Sequence, residues 1–143
     1  MKNIETKHLA NFLIHDEETY HCHTPIVLIG HSFGADNQLW VADRLSKHHL
    51  PIALMVNLEH TSKQLIPPNV NVFYNISSEQ SDNRIIPWGV NLDKSNPYTQ
   101  VINIDLSKNP QFRGVNHFNI DKSRQVQEYI VTLIKENVLA KAQ

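Results

Sequence analysis

Apolar positions along this chain follow two alternating rhythms. Ile4, Leu9, Phe12 and Leu13 recur at roughly helical spacing in a polar background, which predicts a helix over residues 3–18 that buries those side chains. Thr24-Pro25 then opens a continuous apolar run of strand length, Pro25-Ile26-Val27-Leu28-Ile29. Ala35, Leu39, Ala42 and Leu45 return to the helical rhythm. A second helix is therefore predicted, running to about Lys47-His48-His49, a basic end that suits the negative pole of a helix dipole.

Pro51 resets the chain, and Ile52-Ala53-Leu54-Met55-Val56 reads as a second strand, apolar on both faces as in a buried parallel sheet. Val70-Asn71-Val72-Phe73-Tyr74 and Val101-Ile102-Asn103-Ile104-Asp105-Leu106 read as the third and fourth strands. Residues 61–69 are loop, and residues 77–97 form a long polar connection of a kind uncommon in compact domains. Asp121 is the predicted N-cap of a last helix that buries Val126, Ile130, Leu133, Ile134 and Val138. Strands joined by helices or long connections imply an α/β fold. The expected architecture is a mostly parallel sheet of about four strands with helices on both faces. At 143 residues the chain is expected to be a single domain.

The chemistry sits where the first strand meets the second helix, at Gly30-His31-Ser32-Phe33-Gly34. Strand, Gly-x-Ser-x-Gly, helix is the context of a nucleophile elbow, a turn sharp enough to push the serine hydroxyl out above a sheet. Gly30 and Gly34 are expected to be glycine because a Cβ two residues either side of the serine would clash with its neighbours. The N–H of Phe33 then points at a developing oxyanion, close to a helix N-terminus. The plainer alternative is a glycine-containing turn in which Ser32 merely caps the helix.

A serine hydroxyl is a weak nucleophile and needs a base, which in turn needs an orienting acid. Elbow architectures place these in the order Ser, acid, His, on loops at the carboxyl ends of the strands. His60 and His117 are the histidines beyond the second helix. His117 lies in Gly114-Val115-Asn116-His117-Phe118, after the last strand and before the last helix, and is the predicted base. Glu59 closes the second strand, where a carboxylate is held rigidly, and is the predicted acid. Asp82, in the long polar connection, is the alternative, with Asp93, Asp105 and Glu79 behind it. Trp40 and Trp88 read as packing residues, although Trp88 with Ile85, Ile86 and Pro87 could wall an apolar acyl site.

Gly30-His31-Ser32-Phe33-Gly34-Ala35 resembles the elbow of α/β-hydrolases of the lipase, esterase and thioesterase type. Val56-Asn57-Leu58-Glu59-His60 resembles the family's acid turn, usually Leu-Asp-Pro, with Glu59 at the Asp position and His60 at the Pro position. Asn116-His117-Phe118-Asn119-Ile120-Asp121 resembles its histidine loop. The resemblance implies a serine hydrolase that cleaves a small ester or thioester through Ser32, His117 and Glu59, with no cofactor. It spans residues 3–139 and corresponds to the later part of the family fold. The strands before the nucleophile strand, and the loop that donates a second oxyanion N–H, are expected to be missing. An exposed sheet edge follows, which a second copy could cover in a homodimer. The contrasting expectation is an inactive domain that keeps the elbow as architecture and serves as a binding module.

Composition narrows the setting. A hydrophobic fraction of 41% supports a real core, and a net charge of −1 offers nothing to a nucleic acid. No apolar run reaches membrane-spanning length, and the acidic first twenty residues do not read as a signal peptide. The single cysteine, Cys22, fits a reducing compartment, so a cytoplasmic location is expected. His21-Cys22-His23 lacks a further ligand at useful spacing, so no metal site is predicted.

Overall fold

A computed structural model describes residues 4–21, 24–62, 65–78 and 96–142. Helix α1 (Ile4–Tyr20) leads to strand β1 (Val27–His31), helix α2 (Phe33–Ser46) and strands β2 (Ile52–Leu58), β3 (Val70–Ser77) and β4 (Gln100–Asp105). Two short 3₁₀ turns, Leu106–Lys108 and Pro110–Phe112, separate β4 from helix α3 (Arg124–Ile134), which continues through a π-helical stretch, Lys135–Leu139. The four strands form one sheet in the order β1-β2-β3-β4, and every neighbouring pair is parallel.

Side-chain alternation along the strands divides the core in two. Leu28, Met55, Phe73 and Val101 face one side, where Ala10 and Ile14 of α1 and Leu39, Ala42 and Leu45 of α2 close over them. Leu54, Val56, Leu58, Val72 and Ile76 face the other side, beneath Val126, Ile130 and Leu133 of α3 and Val138 beyond it. Each of the larger aliphatic and aromatic side chains among these contributes about 1.5–3 kcal/mol relative to exposure. The chain is thus an α/β protein with helices on both faces of a parallel sheet. Between β2 and β3, Ile66 joins the α1–α2 side, and Asn69 donates to the carbonyls of Ala42 and Leu50 at 3.1 and 2.8 Å.

Three expectations need correction. First, α1 buries Thr6, Ala10 and Ile14, while Ile4 and Phe12 are 72% and 63% exposed and Leu13 is only partly buried. The helix packs against α2 along one narrow stripe, and small Ala10 lets it approach. Second, β3 runs beyond Tyr74 to Ser77, and Asn57 of β2 and Asn75 of β3 both have side-chain partners. Asn57 receives a hydrogen bond from Gln38 Nε2 of α2, and Asn75 Nδ2 donates to Asn103 Oδ1 at 2.9 Å. Third, Ser123 rather than Asp121 caps α3, its Oγ accepting from the N–H of Val126. The chain turns tightly over Asn116–Ser123 first, with Asn119 Oδ1 accepting from Asn116 N at 2.7 Å and Ser123 N donating to Asn119 O at 2.9 Å.

β1 lies at the edge of the sheet, with Ile29 half-exposed. Among the described residues no helix is long and apolar enough to cross a membrane.

Candidate active site

All four strands point the same way, so the turns that follow them gather at one rim of the sheet. β1 runs straight into the elbow: Gly30 pairs with Asn57 and His31 with Leu58 before the chain bends. Ser32 takes φ 55° and ψ −122°, a region that side chains other than hydrogen rarely adopt. Its N–H donates to Leu58 O at 2.9 Å, and its carbonyl accepts from Ala35 N at 3.0 Å, which opens α2. The Ser32 hydroxyl makes no capping bond to that helix, so the plain capping alternative fails.

The two motif glycines differ. A Cβ on Gly30 would sit 2.6 Å from Gly34 O and 2.8 Å from Ala35 N, backbone atoms that cannot swing aside. A Cβ on Gly34 would meet nothing within 4 Å, which corrects the expectation for that position: β1 is an edge strand, and nothing packs there.

Ser32 Oγ lies 3.2 Å from His117 Nε2, although 85 positions separate them in sequence. On the far side of the ring, Nδ1 faces Glu59 Oε2 at 3.6 Å. For Nε2 to accept the serine proton, the ring proton must sit on Nδ1, toward the carboxylate. Separations of this kind tighten when substrate arrives. His117 is nearly buried and Glu59 is fully buried.

Glu59 is fixed from several directions. It follows β2 directly with φ 54°, and its N–H donates to Ile76 O at 3.0 Å. Its Oε1 accepts from the N–H of Ser78, at the end of β3. The turn beyond it is clamped by Asp36 in the first turn of α2. One Asp36 carboxylate takes the N–H and hydroxyl of Thr61 and, at 3.2 and 3.1 Å, the N–H and hydroxyl of Ser62. Phe33 opens α2, so its N–H is one of those left without an intrahelical acceptor, beside the Ser32 hydroxyl. The Phe33 side chain is exposed.

Sequence reasoning thus named Ser32, His117, Glu59 and Phe33, and the fold brings these four together. Asp105 is elsewhere occupied, accepting from Ser107 N at 3.0 Å and Ser107 Oγ at 2.6 Å. Asp82, Asp93, Glu79, Trp88 and its neighbours Ile85–Pro87, and Cys22-His23 of the His-Cys-His stretch, lie outside the described residues. Trp40 is partly buried against the α1–α2 side of the core. Asp36 and Ser78 were missed because their roles depend on contacts between turns that no local pattern announces. His31 and Asp121 were missed as partners too: His31 Nε2 donates to the His117 carbonyl at 2.8 Å, and Asp121 Oδ2 is 3.9 Å from His31 Nδ1.

His60, next to Glu59, is buried, and its Nδ1 lies 3.0 Å from Ser62 O. Burial pushes its pKa below the ordinary 6.5, and the nearby Asp36 and Glu59 only partly oppose this. The unfolded chain therefore binds this proton more readily than the folded one. Stability should be full above pH 6.5 and fall as pH drops below it, with a slope from this group of at most about 1.4 kcal/mol per pH unit. Comparing melting temperatures at about pH 7.5 and about pH 5.5 tests this, and His60→Gln should show the smaller acid-induced drop. An equal drop in both proteins would remove His60 from the acid response.

No protein-family model matches the chain, and no curated protein or solved structure matches it.

Proposed function

We propose that this chain is a serine hydrolase acting on a carboxylic ester or thioester, in the manner of the α/β-hydrolases its elbow resembles. The observation that carries the reading is the 3.2 Å contact between Ser32 Oγ and His117 Nε2, with buried Glu59 behind the ring. Ser32 Oγ attacks the acyl carbon and its proton passes to His117 Nε2. The oxyanion is stabilised by the Phe33 N–H at the positive end of α2, and Glu59 stabilises the imidazolium. Collapse breaks the bond to the leaving oxygen or sulfur, and His117 returns the proton to it. Water, deprotonated by His117, then attacks the acyl group on Ser32, releasing the carboxylic acid and restoring the serine. The single cysteine accords with a reducing, cytoplasmic setting for this activity.

A fluorophosphonate probe tests the proposal, since it reacts with serines activated by a neighbouring base. Wild-type protein should label, and the adduct should map to Ser32. Ser32→Ala should abolish labelling. Folded wild-type protein that stays unlabelled would reject catalysis and favour the binding-module reading.

A further inference from the structure

The elbow carries a second histidine–carboxylate pair, and it does not touch the reacting atoms. His31 Nε2 donates a 2.8 Å hydrogen bond to the backbone carbonyl of His117, across 86 positions of sequence. On its other side, His31 Nδ1 is 3.9 Å from Asp121 Oδ2. The two imidazole rings lie 5.1 Å apart, tilted by 44°. His31 stands on β1 immediately before the nucleophile. Asp121 stands at the end of the turn that carries His117. The pair therefore joins the sheet to the loop that carries the proposed base at two points.

We infer that His31 and Asp121 are positioning residues that latch the His117 loop onto β1 and so set the Ser32–His117 distance. This rests on the hydrolase reading for its catalytic consequence but not for its geometry. A carbonyl oxygen only accepts, so His31 carries a proton on Nε2; the Asp121 carboxylate is also only an acceptor, and it attracts the ring when Nδ1 is protonated too, as the imidazolium. The His117 loop also carries bonds within itself. Its internal bonds, Phe118 N to Asn116 Oδ1 at 2.9 Å and Asn119 Nδ2 to Gly114 O at 3.0 Å, hold its shape but not its place over β1. Proton transfer between Ser32 and His117 is steep in distance. A displacement of about 1 Å costs about a hundredfold in rate, whereas substrate affinity need not change.

The test uses the full chain with two independent readouts. The first is hydrolysis of p-nitrophenyl acetate by wild type, His31→Ala, His31→Gln and Asp121→Asn. Glutamine can present its amide N–H near the place of Nε2. His31→Ala should lower kcat about 10- to 100-fold with KM within about twofold of wild type. His31→Gln should recover most of that loss, and Asp121→Asn should fall between. A loss confined to KM, or an equal loss in His31→Ala and His31→Gln, would overturn the inference. The second readout is NMR of the wild-type protein, which needs no activity. The Nε2 proton of His31 should exchange slowly with water and correlate across the hydrogen bond with the His117 carbonyl carbon. A fast-exchanging, uncorrelated proton would refute the latch even in an active enzyme. A protected, correlated proton in a protein with no Ser32-dependent activity would leave the latch standing and the hydrolase reading refuted.

Discussion

Ser32→Ala and His117→Ala should each lower kcat toward an activated ester by about 10⁴- to 10⁶-fold, and combining them should cost no more than the worse of the two. The reason lies in the shared proton. In the proposed reaction, with Ser32 Oγ 3.2 Å from His117 Nε2, the hydroxyl becomes a nucleophile only as the ring takes its proton. Deleting either partner removes the same step, so the second deletion has nothing left to remove. What persists in both variants is substrate binding and the Phe33 N–H, which touch neither deleted group. Steady-state kinetics on the singles and the double, with circular dichroism to establish folding, decide the matter. Losses that multiply would mean that the two residues act on separate steps, and the pair would not be a catalytic unit.

That pair could be read from the sequence because the relevant signals are local. Pro25–Ile29 is an apolar run, Ala35, Leu39, Ala42 and Leu45 keep a helical rhythm, and the serine sits between two glycines where one gives way to the other. A sheet whose strands all run one way must collect its carboxyl-terminal turns on one rim. That topological constraint brings His117 to Ser32 and puts Glu59, one residue past the end of β2, behind them. A turn signal and a chain order were therefore enough to name three residues far apart in sequence.

What the sequence hid depends on side chains satisfying one another across the fold. Asn57, Asn75 and Asn103 share one row of the sheet, with Gly30 at its β1 end. The third strand is read from its hydrophobic pattern only as far as Tyr74, one residue short of Asn75. In the fold, Gln38 of α2 donates to Asn57, and Asn75 donates to Asn103, so the strands continue through them. Strand length thus depended on polar partners that a hydrophobic pattern does not record. The error on α1 has a different origin. Its apolar residues do recur at helical spacing, but the helix packs chiefly against α2, and that contact selects the stripe of Ala10 and Ile14 over larger side chains. Asp121 failed as a cap for a third reason. It looked like the start of a helix, yet the turn at Asn116–Ser123 delays α3 and leaves the carboxylate facing His31.

Gly30→Ala is expected to be the most disruptive single methyl that can be added to the elbow, lowering stability by about 3 kcal/mol and the melting temperature by roughly 10 °C. The new Cβ would lie 2.6 Å from Gly34 O, 2.7 Å from Gly34 C and 2.8 Å from Ala35 N. All are backbone atoms of the first turn of α2, so relief requires moving the helix rather than rotating a side chain. That movement would disturb the packing of Ala35, Leu39, Ala42 and Leu45, all essentially buried. It would also carry Ser32 away from the ring that Glu59 and the β3 end hold in place, so activity should fall further than the lost stability alone explains. Gly34→Ala provides the internal control. Its Cβ meets nothing, it sits in the first turn of α2 without a positive φ, and alanine in place of glycine there gains about 0.4–1 kcal/mol by restricting the unfolded chain. Thermal melts should therefore separate the two glycines of one motif by opposite signs. A Gly30→Ala protein that melts with the wild type would mean the elbow is not closed against α2, and the strained placement of the serine would lose its cause.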